Sequence, residues 1–215
     1  MQRCEMIPEQ NRTTEEIFPV LIQVSKHPEA ESFNQKLMAE VETIRATTPN
    51  GKPDGWSCDV YTTISNEGYL HERPAFKEFS EFSLVCADYF GHVMGYGYEN
   101  KVLDINECWL NVYQQGHSQE IHNHPNHLVT GVYYLKTPKD CPSLVFHSPF
   151  YKSMIRPEVT QHTIVNSMTV PYKPSEGELV IFDSAVRHSV AVNEAPGERI
   201  SVAVNFALRD RQSFA

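Results

Sequence analysis

Four of the ten histidines of this 215-residue chain fall between His117 and His127. Two of them form His122-Asn-His124. In an extended segment residues i and i+2 project from one face, with Cα atoms about 6.5 to 7 Å apart, so both imidazoles can converge on one metal ion. Taken alone, an H-x-H pair is more often two solvated loop histidines than a metal site. The context that changes this lies downstream, where Glu178-Leu-Val-Ile-Phe182 reads as an apolar strand and a short loop leads to the isolated His188. Three such ligands form a facial set with adjacent positions left open, which suits a non-haem Fe(II) centre rather than a closed structural zinc site. The carboxylates of Glu120 and Asp183 are substitute ligands by proximity, but Glu120 precedes the pair and Asp183 sits in the turn before His188. Arg199 opens the final strand, Arg-Ile-Ser-Val-Ala-Val-Asn-Phe. A guanidinium entering a sheet interior needs an anionic partner, and a small carboxylate would bind it through two parallel hydrogen bonds.

These side chains need a β framework. From residue 101 onward apolar and β-branched clusters recur at 102–113, 128–135, 143–146, 162–170, 179–182, 187–192 and 199–208, separated by polar turns. Seven strands with no helix between them imply an antiparallel sandwich or small barrel. Upstream, residues 18–24 read as a strand. Phe33, Leu37, Val41 and Ile44 make one helical stripe over 32–45, with Ser32-x-x-Gln35 as a capping box at its start. A turn cluster at 48–55 precedes a strand around 56–64. A second helix runs from about residue 75 to 93, with Phe76, Phe79, Phe82, Cys86, Tyr89, Phe90 and Val93 on or near one face, as expected of a helix packed on a sheet. The fold class is therefore α+β, mostly β: a single unit over 1–215, with supporting helices in 1–100 packed on one sheet of a β core at 101–210.

Composition narrows the partners. Apolar residues make up 40% and charged residues 21%, which is globular composition. With 18 basic against 27 acidic side chains the net charge is -9, a field that repels phosphate backbones and anionic membranes, so neither nucleic acid nor membrane is expected as a partner. Met1 to Glu16 carries four glutamates where a signal peptide needs basic and then apolar residues, and this favours a cytoplasmic protein. The five cysteines (Cys4, Cys58, Cys86, Cys108, Cys141) are scattered without a C-x-x-C pair, as for reduced structural thiols. His117 and His127 read as solvated or as neighbours of the pair, and His147 and His162 as strand residues.

On these residues the chain resembles the 2-oxoglutarate/Fe(II) oxygenase superfamily, whose double-stranded β-helix core carries an H-x-D/E...H triad and an Arg or Lys that pairs with 2-oxoglutarate. The resemblance spans roughly 103–208. It is strongest to a group of oxygenases in which H-x-H-P precedes a stretch like Thr130-Gly-Val-Tyr-Tyr-Leu135, and the order of elements is similar to that of prolyl hydroxylases. The resemblance implies Fe(II) held by His122, His124 and His188, with 2-oxoglutarate and O2 as cosubstrates. It also implies that Arg199 and Tyr134 share the distal carboxylate, with Tyr113 and Asn111 as further contacts. The implied reaction is hydroxylation of a C–H bond in a protein, amino-acid or small-metabolite substrate, with release of succinate and CO2. One departure stands out: His124 occupies the usual carboxylate position, so three neutral imidazoles leave the metal its full +2 charge. Two other readings share the core. One is a three-histidine cupin-type dioxygenase, suggested by Gly116-x5-His-x-His but leaving Arg199 without a role, and the other is a non-catalytic cupin-like metal- or sugar-binding module. Specificity is expected from the loops at 66–75 and 147–160.

Overall fold

The computed structural model describes residues 12–150 and 158–211. Cys4, most of the acidic start and the middle of the 147–160 loop lie outside them. Among the described residues ten strands form two sheets in the double-stranded β-helix arrangement. They are β1 (Ile22–Lys26), β2 (Tyr61–Thr62), β3 (Lys101–Tyr113), β4 (Gln119–His122), β5 (Val129–Lys136), β6 (Leu144–His147), β7 (Thr169–Tyr172), β8 (Glu178–Asp183), β9 (His188–Val190) and β10 (Arg199–Asp210). The larger sheet runs β1-β8-β5-β10-β3-β2 and the smaller β4-β9-β6-β7, and all named pairings are antiparallel.

Two helices, α1 (Ala30–Thr47) and α2 (Lys77–Val93), cover the outer face of the larger sheet. Phe33, Leu37, Val41 and Ile44 of α1 are buried, so the i, i+4, i+8 stripe does what its spacing implies. Each such side chain contributes on the order of 1.5 to 3 kcal/mol by leaving water. Tyr133 is the hinge of this layer: its ring meets Phe33, Phe79 and Phe82 edge-on and its hydroxyl donates to Asn34 Oδ1 at 2.6 Å. Gly177, at φ +82°, turns the chain into β8 beneath the start of α1, and a Cβ there would lie 2.3 Å from that of Ala30. Only glycine accepts both demands.

Several sequence expectations shift. Helix α1 starts at Ala30, with Glu29 as its N-cap and no side-chain cap, so the Ser32/Gln35 box does not form; Ser32 Oγ donates to Glu29 O instead. The first strand starts at Ile22, and the strand expected at 56–64 shrinks to Tyr61–Thr62 because the preceding residues turn. Short 3-10 turns at Leu70–Glu72 and Pro74–Phe76 precede α2, and Tyr89 and Val93 face outward rather than into the core. The strand expected at 162–170 lies at Thr169–Tyr172, which leaves His162 exposed outside any strand, while 119–122 is an additional strand. Among the described residues no helix is long and apolar enough to cross a membrane.

Candidate active site

Strands β4 and β9 place the first and third histidines. His122 and His188 are direct cross-strand partners, and a register shift between Gln119 and His122 leaves Glu120 and Ile121 out of the regular ladder. His124 follows two residues on, its backbone N–H donating to Ser184 O at 3.0 Å, just beyond β8. The three rings gather between the sheets, with centroids 4.3 Å apart for His122 and His188 and 5.2 Å for each pair involving His124. One nitrogen of each lies within 4.8 Å of the others.

Backbone carbonyls select the free nitrogens. His122 Nδ1 meets Glu120 O at 2.7 Å and His188 Nδ1 meets Val186 O at 3.0 Å. A carbonyl only accepts, so Nδ1 carries the proton in both rings and Nε2 keeps a lone pair. Burial favours the neutral form, pushing His124 down to about 2 and His188 to about 3, and lowering His122 as well. The donor set is thus three uncharged imidazoles, the chemistry a divalent transition metal accepts without displacing protons.

Neither alternative carboxylate joins them. Glu120 Oε1 accepts from the backbone and hydroxyl of Ser57, and Asp183 accepts from Tyr96 Oη at 3.0 Å and Ala185 N at 2.8 Å. His117 Nδ1 accepts from Gln114 N, His127 contacts Asn106 and Glu107, and His147 pairs with Ser189.

Arg199 and Tyr113 form the cross-strand pair at one end of β10 and β3. Arg199 is 1% exposed, with its guanidinium carbon 4.9 Å from the ring centroids of both Tyr113 and Tyr134. It donates to Tyr134 Oη and Ser201 Oγ, each at 3.4 Å, and its Nε has no partner. No carboxylate among the described residues pairs with it. Val132, Val180, Phe146 and Phe182 line the same interior beside Tyr134. Burial raises the pKa of both tyrosines, Tyr113 to about 12, so they stay protonated donors. Asn111 is differently engaged: with its amide oriented to satisfy its neighbours, it donates to Thr62 Oγ1 and accepts from Trp109 Nε1 at 3.1 Å.

Trp109, Ser201 and Asn205 are absent from the sequence reading. Trp109 lies 5.7 Å from the His124 ring, and Asn205 Nδ2 lies 3.2 Å from His124 Nδ1. The signal for two of them was the alternation in β10, where Arg199, Ser201, Ala203 and Asn205 occupy one face.

Residues 107–205 match the family model described as "Putative 2OG-Fe(II) oxygenase". A search of curated proteins finds no match in sequence. Among solved structures, a Pseudomonas putida prolyl-4-hydroxylase aligns at TM-score 0.60 and 18% identity, over 87% of this chain and 92% of that one. A Trichoplax adhaerens prolyl hydroxylase, in complex with a hypoxia inducible factor oxygen degradation domain peptide fragment, aligns at TM-score 0.58 and 14% identity over 86% and 83%. HygX from Streptomyces hygroscopicus, with nickel, 2-oxoglutarate and hygromycin B bound, aligns at TM-score 0.59 and 11% identity over 87% and 83%. The 107–205 core thus matches a 2OG-Fe(II) oxygenase family model, and the chain around it shares the fold of these solved structures.

Proposed function

We propose that this chain is a single-domain, cytoplasmic Fe(II)- and 2-oxoglutarate-dependent dioxygenase that hydroxylates a C–H bond of a protein, amino-acid or small-metabolite substrate. The observation that carries the reading is the convergence of three neutral imidazoles in the interior that also holds a buried arginine lacking an anion. His122, His124 and His188 would hold the iron. When bound, iron with 2-oxoglutarate and O2 supplies oxidative decarboxylation to succinate and CO2 and the oxidising power for hydroxylation.

The protein's own part is positioning. The carbonyls of Glu120 and Val186 keep the Nε2 lone pairs of His122 and His188 available. Arg199 takes the distal carboxylate through paired N–H donors, Tyr134 adds a hydroxyl donor, and Tyr113 flanks the guanidinium. Asn111 acts at one remove, steadying Trp109 beside His124. Val132, Val180 and Phe182 keep water from this end, which strengthens the ionic pairing. Among the structural neighbours one is in complex with a peptide fragment and another has the small molecule hygromycin B bound, in keeping with the breadth of the proposal.

Anaerobic titration with Fe(II) and 2-oxoglutarate tests the reading through the visible charge-transfer band of a 2-oxoacid chelated to iron, followed by succinate assay on admitting O2. The band and succinate are expected. Iron binding without either would return the protein to the three-histidine cupin-type alternative.

A further inference from the structure

We infer that Asn205 is a positioning residue for His124, fixing which nitrogen of that ring faces the other two histidines; this rests on the proposed reading of the three histidines as a metal site. His122 and His188 are oriented locally, each by the carbonyl two residues before it. His124 has no such neighbour, and its Nδ1 meets the side chain of Asn205, which arrives from β10 and is 1% exposed.

A closed circuit of hydrogen bonds holds that amide. Thr130 Oγ1 lies 2.9 Å from Asn205 Oδ1 and 2.8 Å from Ser184 Oγ, and Ser184 O accepts the His124 backbone N–H at 3.0 Å. Thr130 and Ser184 are fully buried. Backbone and ring of one histidine are therefore tied to the same small set of residues, the backbone through the Ser184 carbonyl and the ring through the Asn205 amide.

The choice of an amide is informative. With Nδ2 toward the ring, Nδ1 accepts; with Oδ1 toward it, Nδ1 donates and Nε2 holds the lone pair a metal needs. In this structure Nδ2 faces the ring and also donates to Glu107 Oε2 at 3.0 Å. The hydroxyls of Thr130 and Ser184 can each donate or accept and so follow the amide when it turns, but Oδ1 toward the ring also requires the 38% exposed Glu107 side chain to swing away to solvent. An aspartate at 205 would set two carboxylates against each other, whereas asparagine orients the imidazole without adding charge.

Co(II) alone is the probe, with affinity read by chelator competition and geometry by its visible ligand-field bands. Removing a partner of a metal-bound histidine typically costs about 10- to 100-fold in metal affinity. Asn205→Leu, similar in shape but without hydrogen bonds, is expected to weaken Co(II) by that factor and to move the bands toward those of His124→Ala. Adding Asn205→Leu to His124→Ala should cost nothing further, because the two act as one unit. Asn205→Asp combined with Glu107→Gln should restore most of the affinity, since the carboxylate accepts from Nδ1–H and the opposing charge is gone. Wild-type affinity and bands in Asn205→Leu, alongside loss in His124→Ala, would overturn the inference while leaving the triad intact. Additive losses in the double variant would also overturn it. An unaffected His124→Ala would overturn the triad reading and the inference with it.

Discussion

Arg199→Met should make the protein more stable and deprive it of its cosubstrate. The guanidinium is 1% exposed, its two hydrogen bonds are long at 3.4 Å, and Nε has no partner. Replacing buried ionic groups by apolar side chains of similar volume can stabilise a protein by about 1 to 4 kcal/mol. Against that stands the stacking on Tyr113 and Tyr134 at 4.9 Å, for which cation–π interactions allow roughly 0.5 to 2 kcal/mol. The expected net gain is about 1 to 2 kcal/mol, or an increase in Tm of about 2 to 8 °C for a chain of this size. Urea unfolding at unchanged m-value reads the first effect. Calorimetric titration of 2-oxoglutarate into the Zn(II)-loaded protein reads the second. Losing one partner of a buried charged pair costs about 3 to 5 kcal/mol, so affinity should fall by about two to four orders of magnitude. A less stable variant that binds 2-oxoglutarate as tightly as the wild type would show that the arginine serves the fold and not a ligand.

On the proposed reading, His122→Ala and His188→Ala each abolish stoichiometric iron, measured by elemental analysis after anaerobic loading and desalting; full retention in both would refute the triad. His124→Asp, which recreates the superfamily's usual ligand set, should retain Fe(II) at least as well as His124→Ala and release more succinate, and equal wild-type behaviour of both would make His124 a bystander. Duplex DNA and RNA should bind only weakly at physiological salt, given the net charge of -9. Steeply salt-dependent tight binding by filter retention would contradict this. Stability should fall on acidification: His188 drops from 6.5 to about 3 on folding, so below 6.5 the unfolded chain takes up the proton first. For this ring the loss by pH 5 is about 2 kcal/mol, continuing until the pH nears 3. Flat urea midpoints between pH 7.5 and 5 would contradict the buried neutral imidazole.

The β core was legible because most of its strands alternate or run apolar between turn residues, and the helices because their stripes recur at helical spacing. The histidines were legible as H-x-H plus a histidine behind an apolar strand. The strand at 119–122 was not, since Gln-Glu-Ile-His lacks an apolar run and its ladder is interrupted. Asn205 was hidden because its role depends on β10 lying between β3 and β5, a pairing that no local pattern encodes. Tyr89 and Val93 misled for the opposite reason: helical spacing gives the angle of a stripe but not how wide a sheet lies beneath it.

Strand β10 also sets the order in which this molecule can be assembled. It is the middle partner of β3 and β5, yet it is made after both, roughly 100 residues behind the start of β3. At synthesis rates of about 5 to 20 residues per second, β3 waits roughly 5 to 20 s and β5 roughly 4 to 14 s, each with one edge unpaired, before the strand that joins them leaves the ribosome. Arg199 and Asn205 are delivered on that last strand, so nascent chains ending before it carry all three histidines but neither the buried arginine nor the amide that meets His124. Such chains present two apolar strands with an open edge each, the kind of edge that pairs with a wrong partner before the right one is made.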